Sequence, residues 1–151
     1  MYIRIDCQAT GIQEMINKLE AMKNIEQNPR LNQALGRGAA RIQAAVKLLT
    51  PVKTGNLINK IITNNTQMNV WHVETNVEYA AFVEYGTGKL GDPAVPHTSK
   101  ESWTYYSDEL HRFVTTHGQK PVHMFTKGFA SAHKAAFECV KREVKEIIIN
   151  A

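Results

Sequence analysis

The residues of this chain whose types could do chemistry are a glycine-rich run, six histidines, two cysteines and a few clustered carboxylates and aromatics. Gly86-Thr87-Gly88-Lys89-Leu90-Gly91 matches G-x-G-x-x-G letter for letter. In a dinucleotide site such glycines end a strand and open a helix whose N-terminus receives the pyrophosphate. Here Asp92-Pro93 and Pro96 follow, so no helix is expected where the chemistry needs one. A phosphate loop fails as well. Counting back from Gly88-Lys89, its first glycine falls at Val83, and Leu90 stands where a Ser or Thr should hold magnesium.

The histidines His72, His97, His111, His117, His123 and His133 contain no H-x-x-x-H or H-E-x-x-H pair, and none sits beside a cysteine at finger spacing. A metal-dependent hydrolase would have to draw on His97, His117 and His123. Cys7 and Cys139 lie far apart on the apolar sides of their segments, which reads as buried thiols and not as a nucleophile or a disulfide. No G-x-S-x-G is present. Glu78 and Glu84 read as structural carboxylates and not as an acid–base pair. No catalytic residue, metal site or cofactor is therefore expected. Trp103, Tyr105, Tyr106 and Phe113, with Lys89, Lys100 and Arg112 nearby, could form a nucleic-acid-binding module that stacks on bases. Cross-strand packing in a hairpin accounts for the same aromatics without a ligand, and contact with another subunit is a third use.

Composition bounds the choice. With 151 residues, 43% hydrophobic and 21% charged, the chain fits one domain with a core. The net charge of +4 is spread out, with no basic block of the kind that marks a nucleic-acid arm. No run approaches the roughly 18 apolar residues of a membrane span. Met1-Tyr2-Ile3-Arg4-Ile5-Asp6 does not have the pattern of a secretory signal, so Asn64-Asn65-Thr66 reads as a chance sequon.

The elements that must position these residues follow from periodicity. Residues 2 to 7 alternate as a short strand, turning at Thr10-Gly11. Ile12, Met15, Ile16, Leu19 and Met22 form the stripe of a helix. Asn28 caps a second helix with Pro29 at its first position. That helix carries Leu31, Leu35, Ile42, Val46 and Leu49, interleaved with Gly36, Gly38, Ala39, Ala40, Ala44 and Ala45, and such small residues permit close approach of a neighbour. Thr50-Pro51 ends it, because proline biases the residue before it to an extended conformation. Leu57 to Thr63 and Val70 to Val77, joined by a turn at Asn64-Asn65-Thr66-Gln67, form a hairpin with Trp71, Val73, Thr75 and Val77 on one face. Tyr79, Phe82 and Val83 mark one or two helical turns. Gly86 to Lys100 is a long loop, and residues 102–106 and 111–116 a second hairpin, turning through Ser107-Asp108-Glu109. A terminal helix carries Phe125, Phe129, Ala132, Ala136, Cys139 or Val140, Val144 and Ile147. The fold class is α+β, a small, mainly antiparallel sheet packed against a long N-terminal helix, broken near Pro29, and a C-terminal helix.

Thr50-Pro51-Val52-Lys53-Thr54-Gly55-Asn56-Leu57, then a hairpin, then Val77-Glu78-Tyr79-Ala80-Ala81-Phe82-Val83-Glu84-Tyr85-Gly86-Thr87 resembles the tail-completion, or head–tail joining, proteins of long-tailed bacteriophages and prophages. Their marks are a P-V-x-T-G-x-L corner and a Y-A-x-x-V-E-x-G-T segment. These fall here on Pro51, Val52, Thr54, Gly55 and Leu57, and on Tyr79, Ala80, Val83, Glu84, Gly86 and Thr87. The chain departs from the family's habit at Lys60, where Ser is frequent, and at Val122-His123, where an aromatic usually follows the late proline. The resemblance implies one domain over residues 1–151, with a loop-and-hairpin insertion at about 86–120. It implies a non-enzymatic minor tail component of the virion neck, made in the host cytoplasm. It also implies a homo-oligomeric, hexameric ring that contacts head-closure, tail-terminator or tail-tube proteins, with at most non-specific DNA contact and no membrane.

Overall fold

The computed structural model describes residues 11–108 and 110–151. The expected strand at residues 2–7, with Cys7 and Thr10, and the turn residue Glu109 lie outside them. In chain order come α1 (Ile12–Lys23), a 3-10 turn (Ile25–Gln27), α2 (Pro29–Leu49), a helical turn α3 (Asn56–Asn59), β1 (Ile62–Gln67) and β2 (Val70–Glu74). These are followed by α4 (Ala80–Tyr85), a 3-10 turn (Gly88–Leu90), β3 (Trp103–Ser107), β4 (Arg112–Thr116) and α5 (Met124–Ile149). The class is α+β as expected. Among the described residues the strands form two separate antiparallel hairpins, β1–β2 and β3–β4.

The centre of the fold is the antiparallel pair α2 and α5. Helix α2 starts where its cap was expected, with the Asn28 side chain accepting from Arg30 N at 3.0 Å and Pro29 at the first position. It ends at Thr50, which is extended (φ −75°, ψ 123°) before Pro51. Of the small residues of α2, Gly38 faces Ala136 of its partner and Gly36 faces Trp71, while Ala40 and Ala44 are exposed. Ala34, Gly38, Ala39 and Val46 are buried, while Leu49 of the expected stripe stays exposed. On α5 the buried line is Met124, Gly128, Ala136, Cys139 and Ile147, whereas Phe129, which pattern had placed inside, is 55% exposed. Glycine explains the shift. A Cβ on Gly128 would stand 2.7 Å from Val46 Cγ2 and 2.8 Å from its Cα, so the backbones meet there. Phe129, next to that contact, is left outside it, while Phe125 packs partly buried against the core. At the far end Arg30 and Arg37 both pair with Glu143, at 2.6 and 2.7 Å.

The first hairpin lies on α2. Its first strand differs from expectation: Leu57 belongs to a helical turn, and the polar run Asn64-Asn65-Thr66-Gln67 is strand, not turn. The pairing supplies what local propensity lacks. Ile62 faces Glu74 and Asn64 faces His72, and a bulge between Asn65 and Gln67 is closed by the Asn65 amide, which donates to Gln67 O (2.8 Å) and Val70 O (3.0 Å). The tight turn is Met68-Asn69, with Asn69 at φ 63°, a conformation asparagine tolerates. On β2 the expected alternation holds: Trp71 and Val73 are partly covered, His72 and Glu74 exposed. The Trp71 indole N–H reaches Asn32 Oδ1 at 3.0 Å, and its ring lies so close to Gly36 that a Cβ there would come within 2.8 Å.

The core joins these parts: Val46, Leu57, Ile61, Val77, Ala80, Val83 and Met124, of which Val46, Ile61 and Met124 are the largest fully buried side chains. The two helix glycines make opposite predictions. Gly128→Ala should lower stability by about 1–3 kcal/mol, because backbone must give way. Gly38→Ala, whose Cβ would meet Ala136 Cβ at an ordinary 3.6 Å, should be neutral or stabilising by up to about 1 kcal/mol. Urea unfolding followed by circular dichroism reads both, and equal losses would refute the close crossing at Gly128.

Candidate functional site

Helix α5 begins without a cap of its own. His123 precedes it at φ 56°, and its side chain makes no capping bond. The first N–H groups of a helix need acceptors. They find one 41 residues away in sequence, in the carboxylate of Glu84. Phe125 N donates to Glu84 Oε2 at 2.8 Å, Thr126 N to Oε1 at 3.0 Å, and the Thr126 hydroxyl to Oε1 at 2.7 Å. Glu84 is only 4% exposed. A buried carboxylate is tolerated when hydrogen-bonded, and the positive end of the helix dipole adds to that. Glu84 thus caps α5, its two oxygens accepting from three donors of Phe125 and Thr126.

The segment around Glu84 is sewn to the approach of α5. Val122 N donates to Val83 O (2.9 Å), His123 N to Glu84 O (3.1 Å), and Thr87 and Gln119 exchange bonds of 2.8 and 3.1 Å. Gly86, at φ 73°, turns the chain out of α4 into this seam, and a Cβ there would overlap the Gln119 carbonyl. So Glu84, Gly86 and Thr87 form one face of the seam, and residues 119–126 form the other.

The corner residues reach the same place from the other side. Thr50 is buried; its hydroxyl donates to Val46 O at 2.8 Å and lies 3.4 Å from Met124 Sδ. Gly55, at φ 77°, precedes α3, and Leu57 enters the core beside Ala80 and Val83. The Asn56 amide donates to the Tyr79 hydroxyl at 3.3 Å, a direct link between the two segments. Pro51, Val52 and Thr54 are exposed, Val52 at 66%.

The other sequence candidates are not brought together into one site. Gly88–Leu90 forms a 3-10 turn, and no helix opens there. His97 Nδ1 lies 2.6 Å from Val95 O, His117 Nδ1 3.3 Å from Glu101 O, and His123 Nε2 3.7 Å from Asp92 Oδ2. Among the described residues no three His, Cys, Asp or Glu side chains stand close enough to hold a metal ion. Cys139 is buried and free. In the second hairpin Tyr106 and Phe113 are cross-strand partners packed edge to face at 5.4 Å, as hairpin packing requires, yet Phe113 remains 73% exposed. Lys89, one of the three cations near the aromatics, pairs with Glu101 at 2.8 Å. No described helix is long and apolar enough to cross a membrane.

A buried carboxylate at a helix end and a seam of backbone bonds tie the segment around Glu84 to the start of α5. Residues 13–86 match the family model described as "Bacteriophage HK97-gp10, putative tail-component". Over that segment, just under half of its length, the chain is similar to a bacteriophage tail-component family. The match spans α1, α2, the corner, the first hairpin and α4, and closes at Gly86, on the seam. No curated protein and no solved structure matches the chain.

Sequence reasoning treated Glu84 as structural but gave it no partner. The signal was in the other segment: Val122-His123-Met124 offers a helix start with no Ser, Thr, Asp or Asn to cap it. Glu84→Gln should cost about 1–3 kcal/mol, because an amide presents one acceptor and turns a donor toward the helix. Thermal and urea unfolding measure this, and a variant as stable as the parent would remove Glu84 as the cap of α5.

Proposed function

We propose that the chain is a structural protein of the phage neck that joins head and tail, acting by assembly into a ring and carrying out no catalysis. The observation that carries the reading is the tail-component match over residues 13–86, the stretch that contains the corner and the second marked segment from Tyr79 to Gly86. Pro51, Val52, Thr54, Gly55, Leu57, Tyr79, Ala80, Val83, Glu84, Gly86 and Thr87 serve this function as shape-holding residues. The whole chain acts as one tail-component-like domain, with residues 86–120 as an insertion that reaches a neighbour.

The surface supports the reading. The accessible area is 11178 Å², against roughly 7,700 Å² for a typical monomer of this mass. Large apolar side chains account for much of what is open, among them Leu48 at 86%, Phe82 at 58% and Phe137 at 65%. Exposed apolar side chains, where they gather into patches, mark interfaces. A ring uses two different patches on each copy, closing with sixfold symmetry in this proposal, and leaves others for the neck and tail layers above and below. The mild charge of +4 fits a channel that touches passing DNA only without sequence preference.

Particles made without this protein should accumulate as filled heads and separate tails under the electron microscope, and supplying the protein should join them. Normal, infectious particles in its absence would overturn the role.

A further inference from the structure

Helix α1 is inside out. Its stripe of Ile12, Met15, Ile16, Leu19 and Met22 is exposed at 49, 58, 39, 57 and 52%, and none of its residues is buried. The residues of α1 that are partly covered are Asn17, Lys18 and Ala21, on the opposite side of the helix. The helix nevertheless touches α5. An amphipathic helix that turns its polar side to its own protein has its apolar side reserved for something else.

A matching surface stands open elsewhere on the same chain. Between α2, β2 and α5 runs an apolar groove of about 630 Å³ whose walls include Leu35, Ile42, Trp71, Val73, Phe129 and Phe137. Phe129 and Phe137 are more than half exposed. The α5 wall, from Phe129 to Val140, is about 16 Å long, and the stripe of α1, from Ile12 to Met22, about 15 Å.

We infer that α1 of one copy of this chain docks in the α2–β2–α5 groove of the next. The occupant is a second copy for three reasons. Helix and groove match in length and in apolar character. Both stand unsatisfied on one chain, where each copy can give a helix and receive one, the head-to-tail arrangement that closes rings. Five large side chains and their pocket bury on the order of 1,000 Å² per junction, enough for a specific contact, and each ring member makes two. The 3-10 turn before α2 is tied to the turn of the first hairpin, where the Asn69 amide donates to Glu26 O at 2.6 Å. The inference rests on the ring reading above and names the surfaces it uses.

The test is a mixing experiment on the full chain. Met15→Glu with Leu19→Glu spoils the helix, and Phe137→Lys spoils the groove. All three positions are more than half exposed, so the fold should survive, and circular dichroism checks this. The parent should run by light scattering as a multiple of 17.0 kDa. Each variant alone should be monomeric, its self-association weakened about 100-fold or more. Mixed, the two variants share one intact helix and one intact groove, and should form a one-to-one heterodimer and stop. Variants that assemble like the parent would overturn this interface while leaving the ring in place. A parent monomeric at high micromolar concentration would overturn self-assembly, and the interface with it. In that monomeric case, a lower melting temperature in both variants would mean that α1 covers the groove of its own chain; unchanged melting would assign the stripe to a different protein.

Discussion

Everything else in this structure depends on how closely α2 and α5 approach one another. The approach is possible because Gly128 lets the backbone of α5 lie against Val46, with Gly38 and Ala136 continuing the contact. Dispersion between close backbones is gained over the length of both helices, and a side chain at the crossing would forfeit it. The same closeness limits what the pair can bury. The helices meet through small residues, so the larger apolar groups, Phe129 and Phe137 among them, point away and remain uncovered.

The two marked segments are anchored to this pair at one end. Thr50 stops α2 and touches Met124, and Glu84 binds the first N–H groups of α5, so the start of one helix and the finish of the other are fixed together. Short elements that would be marginal alone, α3 and α4, acquire definite positions by burying Leu57, Ala80 and Val83 in that corner. The outcome is a rigid centre with extensions: α1 at one end, the second hairpin and its loop on the other side. Such a body suits a part that fits between other parts.

The core is small and much apolar surface stays exposed. Only a few large side chains are fully enclosed, while α1 and the outer face of α5 offer hydrophobic area to solvent. Area of this kind contributes roughly 25 cal/mol per Å² when it is covered, which is what the proposed assembly would gain.

Local chemistry was readable in the amino-acid order. Asn28-Pro29 and Thr50-Pro51 bound α2 because caps and proline act on their nearest neighbours. The alternation of Trp71 to Val77 showed which side of β2 is covered, and the corner and the Tyr79–Thr87 segment indicated the family. What needed the tertiary structure involved partners distant in sequence. Asn64 to Gln67 look like a turn until Val70 to Glu74 pair with them. Phe129 looks like core until glycine draws the helices together beside it. Glu84 is one carboxylate among many until the uncapped start of α5 arrives. The outward stripe of α1 is the clearest instance: periodicity establishes that a helix has an apolar face, but only its neighbours decide where that face points.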